Sequence, residues 1–317
     1  MPPSLLNGPF STSRARTAGV TKKMLEGRRF VQVYRGVWRH HEHQMSDHDW
    51  VAAARLALPA HARLTGISRI QALGLDFGPR FPVRFVVEGE LHLAFDNVFL
   101  HRTKRLAPTD EVGVVPAAAF VAFCASARVI DAIKVGDWLL HQRHTTIDEI
   151  RNLALGGLWR RGADEAIWVL DHLDARSRSL KESEARAILT FAGLPRPDVN
   201  ATVDVNEDVV VIGDLVYTGW HTIVEYEGSH HQEDRSQYNA DIDRYALMRA
   251  AGHEYVQVTK ERLHRPKTLV GEVYRALLRG GYAGPPPTFG QSWQLLFAKV
   301  STAVGPRRDR ERQRAVG

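Results

Sequence analysis

Cysteine is nearly absent from this sequence, which holds only Cys124 among its 317 residues. A single cysteine excludes an internal disulfide and any zinc or iron–sulfur site that needs several cysteine ligands. Cys124 ends the apolar stretch Phe120–Cys124, so we expect a buried and unreactive thiol. The chain is therefore neither a disulfide-stabilised scaffold nor a multi-cysteine metalloprotein.

Long hydrophobic runs are also missing. No apolar segment approaches the roughly 20 residues that a membrane-spanning helix requires. The first residues, Met1–Phe10, lack a basic region followed by an apolar core, which is the pattern of a secretory signal. We therefore expect no membrane association and a cytoplasmic location. The sequence also lacks an internal repeat with the period of a solenoid.

Acidic residues are fewer than basic ones, since 36 aspartates and glutamates stand against 42 lysines and arginines. The net charge of +6 agrees with nucleic-acid binding but does not by itself predict it. Several arginines lie near the end of the chain, and the segment 285–317 begins with three prolines. We expect a disordered basic tail there, with contacts to phosphates as the alternative.

The length of 317 residues and the 44% hydrophobic content suffice for more than one folded domain. In the middle region, residues 61–173, we expect strands at Val83–Val87 and Leu91–Phe95, followed by mainly helical periodicity. The polar stretch Asp174–Ser179 predicts a linker. Beyond it, residues 179–280 form the candidate last domain.

The last domain has a clear predicted order of elements. Its first helix begins at Ser179, which caps the helix in a capping-box arrangement with Glu182, and Gly193 ends it. The α-β-β-β-α-β-α order predicts one mixed sheet flanked by helices. The predicted helices are 179–192, 234–251 and 267–278, and the predicted strands are 201–205, 209–217, 222–227 and 254–258.

Three acidic residues of this domain carry the chemical argument. Glu225 and Glu227 are two apart on one strand, so both point to one face. If Thr218–His221 forms a hairpin with Gly219 in a two-residue turn, Asp214 lies opposite Glu225. Neighbouring carboxylates repel each other in a valine-rich sheet, and Mg²⁺ or Mn²⁺ would relieve that repulsion. The alternatives are a solvated strand face and a salt bridge with nearby arginines.

The same strand carries a resemblance to a known family. Ile223–His231 reads as an acidic-x-acidic-Gly-x-x-His motif, which resembles the very-short-patch-repair-like endonucleases of the PD-(D/E)XK class. The helix 234–251 carries Gln237, Asp241 and Arg244, which resemble the Gln-x-x-x-Asp-x-x-Arg pattern of that family.

The resemblance implies a restriction-endonuclease-like fold and roles for individual residues. Asp214 and Glu225 would hold the metal with Glu227, and Glu182 would complete the acidic shell. His231 would act as a base or orient water, with an ordinary surface histidine as the alternative. Gln237 and Arg244 would contact DNA, with a solvated helix face as the alternative.

The sequence departs from the family at one position. Related sequences carry aspartate where this chain has Glu227, and no lysine occupies that place to polarise water. The extra methylene shifts the carboxylate by about one bond length, which disturbs a near-octahedral Mg²⁺ shell. A domain that binds DNA without cutting it is therefore the alternative to a nuclease.

The amino-terminal region, residues 1–60, contains the alternating run Arg28–Arg39, which is interrupted by Gly36 and is typical of a β-hairpin or wing. This run resembles the wing of AbiEi-like antitoxin amino-terminal domains. A winged helix would present basic side chains to phosphates, and a solvated basic face is the alternative. The candidate DNA contacts are Lys22, Lys23, Arg28, Arg29 and Arg35.

Taken together, these patterns predict an α/β protein. We expect a winged-helix-like amino-terminal region, a mostly helical middle and a restriction-endonuclease-like mixed sheet flanked by helices. The predicted function is a Mg²⁺-dependent DNA endonuclease, with Mn²⁺ as a second metal. The alternative is a non-catalytic, antitoxin-like repressor with a degenerate nuclease domain. DNA is the expected partner, with a toxin or another defence-system protein as a further one.

Overall fold

The structure, a computed structural model, describes residues 3–206, 209–227 and 247–305. The chain divides into two units, of which the first ends at Ala119 and the second begins at Phe120. Both units combine helices with β-sheets, so the predicted α/β class is confirmed. The boundary falls inside the predicted middle region, residues 61–173. In the part of the chain that the structure describes, none of the helices has both the length and the apolarity to cross a membrane.

The first unit opens with a small three-stranded antiparallel sheet in the order β1-β3-β2. Strands β2 and β3 form the hairpin predicted for Arg28–Arg39, and Gly36 in its turn has a φ of 80°. Two short helices pack their apolar residues, including Ala15 and Leu25, against Phe10 and Phe30 of the sheet. The elements are β1 (Phe10–Ser11), α1 (Thr12–Thr17), α2 (Lys22–Leu25), β2 (Phe30–Tyr34) and β3 (Val37–His40).

The rest of the first unit contains a second sheet, in the order β4-β5-β6, and the predicted strand at Val83–Val87 is confirmed within β5. The predicted strand at Leu91–Phe95 is wrong. Only Phe95 makes an isolated bridge there, and Leu93 in the middle of the run is exposed. The elements are α3 (Asp47–Ala57), β4 (Arg63–Leu64), α4 (Gly66–Gln71), β5 (Val83–Glu88), β6 (Val98–Thr103) and, across the boundary, α5 (Pro116–Cys124).

The second unit begins with helices, as predicted, and the thiol of Cys124 is buried among them. The predicted linker, Asp174–Ser179, contains no helix or strand, although Asp174 and Ser177 are buried. The Asp174 N–H donates to Asp137 Oδ1 at 2.7 Å, and the hydroxyls of Ser177 and Ser183 lie 2.8 Å apart. The polar groups of this segment thus form hydrogen bonds within the second unit. The helices are α6 (Val129–His141), α7 (Ile147–Leu155), α8 (Ala163–Leu170) and α9 (Leu180–Phe191).

A four-stranded mixed sheet follows, in the order β10-β9-β8-β7. The pairs β7–β8 and β8–β9 are antiparallel, and β9–β10 is parallel. Helices α9 and α11 pack on the sheet. Residues 247–250 are helical and belong to the predicted helix 234–251, most of which lies outside the described residues. The elements are β7 (Asp198–Asn206), β8 (Val209–Tyr217), β9 (Thr222–Tyr226), β10 (Glu254–Val258), α10 (Lys260–Leu263) and α11 (Pro266–Arg279).

The prediction of disorder from residue 285 is wrong as far as Gly305. Two helices lie there, α12 (Gln291–Phe297) and α13 (Val300–Val304). Trp293, Leu296 and Val300 are buried, and the Val300 N–H donates to the Ala127 carbonyl at 3.0 Å. A folded segment needs buried apolar side chains, and these three residues provide them. The prolines and arginines around them had led to the prediction of disorder. Residues 306–317 lie outside the described residues.

A buried ion pair joins two helices of the second unit. Arg186 Nη2 on α9 lies 2.6 Å from Asp137 Oδ2 on α6, with side-chain exposures of 3% and 0%. Burial raises the pKa of the Asp137 carboxyl above its ordinary value, and the charge of Arg186 opposes that shift. Two such groups are tolerated in the interior only while they remain paired.

Replacing Arg186 by methionine should therefore destabilise the second unit by about 3–5 kcal/mol, because Asp137 would stay buried without its cation. The matched control is Arg151→Met, since Arg151 pairs with Asp148, whose side chain is 82% exposed. The Arg151→Met control should lower the free energy of unfolding by less than about 1 kcal/mol. Urea denaturation of the two variants measures both values. Equal losses would show that the Asp137–Arg186 pair adds nothing beyond a surface contact.

Candidate functional site

The predicted register of the β8–β9 hairpin is confirmed. Leu215 pairs with Val224 and Tyr217 with Thr222, as expected if Asp214 faces Glu225 on the neighbouring strand. The predicted two-residue turn is wrong. The chain makes a 3-10 turn over Thr218–Trp220, and the residue with a positive φ is His221, at 45°, rather than Gly219. The longer turn has the same centre as the predicted one, which is why the register is unchanged.

The prediction assumed that successive side chains of β8 point strictly to alternate faces of the sheet. Asp214 does not follow this pattern. A Cβ on Gly213 would lie 2.8 Å from Val216 Cγ2 and 2.9 Å from Ile223 Cγ2. Gly213 and Val216 are thus on the same side of the sheet, although three residues apart, so alternation is interrupted between them. Asp214 Oδ2 instead accepts a hydrogen bond from the backbone N–H of Tyr226 at 2.8 Å. The carboxylate therefore lies against the end of β9.

Glu225 lies on β9, between β8 and β10, and is only 6% exposed. Its Oε2 accepts a hydrogen bond from the Tyr255 hydroxyl at 3.2 Å. Gln257 on β10 is its register partner. Glu227 follows the end of β9, is half-buried, and donates its backbone N–H to the Val258 carbonyl at 2.9 Å. Glu225 and Glu227 thus lie at the carboxyl end of β9, and Asp214 of β8 reaches the same end through its bond to Tyr226.

Glu182 stands on the first turn of α9, where the Ser179 hydroxyl caps the helix by accepting the Glu182 N–H at 3.1 Å. A capping box also requires the Glu182 carboxylate to accept the backbone N–H of Ser179, and this part of the prediction is wrong. Glu182 Oε2 accepts the N–H of Arg178 instead, at 2.9 Å. The same oxygen accepts the Asn200 side-chain amide at 2.7 Å. Glu182 thus binds the start of α9 to strand β7.

Asn200 is the residue of β7 that stands across from Asp214. The pairs Val199–Leu215 and Ala201–Gly213 flank these two residues in the β7–β8 ladder. Asn200 has a φ of 47°, a conformation that asparagine tolerates better than most residues. Glu182 and Asp214 are therefore both neighbours of this asparagine, one through its side chain and one across the ladder.

A divalent cation suits the donor chemistry of this site. Mg²⁺ is commonly held by one or two carboxylates, with waters and substrate phosphates as its other ligands, and Asp214 and Glu225 are hard oxygen donors on adjacent strands. Within residues 3–206, 209–227 and 247–305, no three His, Cys, Asp or Glu side chains are gathered closely enough to ligate one ion. The predicted site residues His231, Gln237 and Arg244 lie outside the described residues.

The basic side chains predicted in the first unit all lie at its surface. Lys22 and Lys23 begin α2 after the Thr21 cap, and Arg28 and Arg29 precede β2. Lys22 makes a loose ion pair with Glu26, whose atoms are 3.7 Å apart and well exposed. Arg35, in the hairpin turn, is also exposed.

The hairpin turn is fixed to helix α1 by one threonine. The Thr12 hydroxyl donates to the Gly36 carbonyl at 3.1 Å and accepts from Trp38 Nε1 at 3.0 Å. These bonds, from the first residue of α1, hold the hairpin turn in place. Arg35, which directly precedes Gly36, is therefore carried by a turn that is anchored to α1.

Sequence reasoning missed two exposed arginines on α1, Arg14 and Arg16. The distribution of charge along the sequence would have indicated them. Residues 1–40 hold eight lysines and arginines against one acidic residue, Glu26, and the rest of the chain holds 34 against 35. The net positive charge of the protein thus lies entirely in its first 40 residues. Tyr255 and Asn200 were also missed, and neither belongs to a motif that could have indicated it.

The sequence matches no protein-family model. It is similar to two curated proteins of Mycobacterium tuberculosis, Uncharacterized protein MT2308 of strain CDC 1551 / Oshkosh and Uncharacterized protein Rv2248 of strain ATCC 25618 / H37Rv. Each is 26% identical over 154 residues, which are 48% of this chain and 57% of the relative. The chain thus spans little more than half the length of these relatives.

Proposed function

We propose that this protein is a Mg²⁺-dependent DNA endonuclease of the cytoplasm. The observation that carries the proposal is the placement of Asp214 and Glu225 on adjacent antiparallel strands, at the end of a mixed sheet on which α9 and α11 pack. The order of elements agrees with the resemblance to very-short-patch-repair-like endonucleases wherever residues are described.

A bound Mg²⁺ would supply positive charge to the scissile phosphate and lower the pKa of an attacking water. Asp214 and Glu225 would hold it through their carboxylate oxygens, and waters and phosphate oxygens would supply its other ligands. Burial of Glu225 strengthens its attraction for a cation, because charges interact more strongly where water is excluded. Tyr226, through its backbone N–H, and Tyr255, through its hydroxyl, keep the two carboxylates in defined positions.

The first unit would supply the affinity for DNA. Its opening sheet, in the order β1-β3-β2 with α1 and α2 ahead of the hairpin, supports the winged-helix interpretation. Exposed lysines and arginines release counterions when they meet phosphates, so such a surface binds DNA in a salt-dependent way. The concentration of net charge in residues 1–40 supports this division of roles.

A second candidate is a non-catalytic DNA-binding regulator, such as an antitoxin-like repressor that acts with a toxin or another defence-system protein. Glu227 favours it, because related nucleases carry the shorter aspartate there. Such a regulator would need the basic surface of the first unit but no metal.

Incubation of the purified protein with supercoiled plasmid and short duplexes in Mg²⁺, Mn²⁺ or EDTA tests the proposal. We expect cleavage with either metal and none in EDTA. Millimolar metal should also raise the melting temperature, because a ligand at 100 times its dissociation constant stabilises the native state by about 2.7 kcal/mol. A protein that binds the duplexes, melts at the same temperature with and without metal, and leaves the plasmid intact would be the regulator instead.

A further inference from the structure

We infer that Tyr255 is a positioning residue of the metal site, which holds the Glu225 carboxylate in the orientation that accepts a divalent cation. This inference rests on the proposed function. It adds a residue that neither the acidic motif nor the family resemblance indicates.

The register of the sheet places Tyr255 beside Glu225. Tyr255 on β10 is the Cα partner of Ile223 on β9, and Ile223 and Glu225 are two residues apart on one strand, so they share a face. The Tyr255 ring packs in the cluster formed by Val203, Val216, Ile223 and Met248. This packing fixes the ring, and its hydroxyl reaches Glu225 Oε2 at 3.2 Å.

An uncharged hydrogen-bond donor, such as the Tyr255 hydroxyl, stabilises a buried carboxylate that is to bind a metal. Glu225 is 6% exposed, and a buried carboxylate is costly unless hydrogen bonds replace its lost hydration. The tyrosine hydroxyl provides one such bond and restricts the rotation of the carboxylate. Because the hydroxyl is uncharged, this hydrogen bond does not itself neutralise the negative charge of Glu225, whereas a lysine or arginine at position 255 would. Partners of this kind commonly change metal affinity by about 10–100-fold.

The test is Tyr255→Phe, which removes one hydroxyl and keeps the ring. Tyr282→Phe is its matched control, since the Tyr282 hydroxyl also donates one hydrogen bond in the second unit, to the Pro285 carbonyl at 3.3 Å. The primary readout is the dissociation constant for Mn²⁺, measured without DNA from the electron paramagnetic resonance signal of the free ion. We expect Tyr255→Phe to weaken Mn²⁺ binding by about tenfold and Tyr282→Phe to leave it unchanged.

A kinetic readout separates positioning from general support of the fold. In Tyr255→Phe the cleavage rate at low Mn²⁺ should fall, and raising the Mn²⁺ concentration should restore it, while KM for DNA stays constant. If Tyr255→Phe lowers the melting temperature but binds Mn²⁺ as the wild type does, Tyr255 only fills the core and the inference is wrong. If the wild type itself binds no Mn²⁺, the proposed function fails, and this inference fails with it.

Discussion

Glu225→Gln should lower the rate of DNA cleavage by at least about 100-fold and leave DNA affinity equal or higher. A neutral amide is a poor ligand for Mg²⁺ and does not balance its charge. It also removes a negative charge that would repel the phosphates. Single-turnover cleavage of a labelled duplex, together with binding measured in EDTA, checks both parts of this prediction.

Glu261→Gln is the matched control for this substitution, because Glu261 is an exposed glutamate at the start of α10 in the same unit. It should cut at the wild-type rate. If Glu225→Gln also cuts at the wild-type rate, the carboxylates of β8 and β9 take no part in the chemistry, and a contaminating nuclease becomes the explanation of the activity.

Glu227→Asp separates the enzyme from the regulator. In a working nuclease it should retain or improve cleavage, because it restores the shorter carboxylate of the nucleases that this domain resembles. In a degenerate domain the wild type would bind DNA without cutting it, and Glu227→Asp would recover weak activity from the rest of the site. A loss of cleavage in Glu227→Asp would show that the site requires the longer side chain.

Reversal of four basic side chains in the first unit should reduce DNA affinity by more than about 100-fold. The variant replaces Lys22, Lys23, Arg28 and Arg29 by glutamate. If each of the four contacts one phosphate, the slope of log K against log salt should become shallower by about 3.6, since each lost contact contributes about 0.9. All four side chains are exposed, so the fold should be preserved. Fluorescence anisotropy over a salt series measures the affinity and the slope.

A second variant with the same change in net charge serves as the control. It replaces four exposed basic residues of the second unit by glutamate, namely Arg143, Arg161, Lys260 and Arg275. If affinity depends on where the charges lie, this control should bind DNA much more tightly than the first-unit variant. Equal losses would mean that overall charge alone governs binding, and the winged-helix interpretation of the first unit would then be wrong.

The two principal variants should affect different kinetic constants. Glu225→Gln removes an interaction needed in the chemical step, so it should lower kcat and leave KM for DNA nearly unchanged. The four-residue reversal removes binding that is common to the ground state and the transition state, so it should raise KM with little change in kcat. This opposite pattern is what a division of roles between the two units predicts.

Local patterns in the sequence were sufficient to predict several features of the second unit. The Ser179 cap, the strands β8 and β9 and the register of the hairpin between these strands all follow from residues close together in the chain. A turn or a cap is decided by the few residues that form it. Even the wrong turn type left the register intact, because the observed turn and the predicted turn are centred on the same peptide bond.

Only the tertiary structure decided the features that depend on distant residues. The contact between Tyr255 and Glu225 spans 30 positions, and the interruption of alternation beside Asp214 coincides with the left-handed Asn200 on another strand. The helices after residue 285 are folded because Trp293 and Leu296 are buried in the second unit. Burial depends on which surfaces meet, and a periodic pattern within one segment does not contain that information.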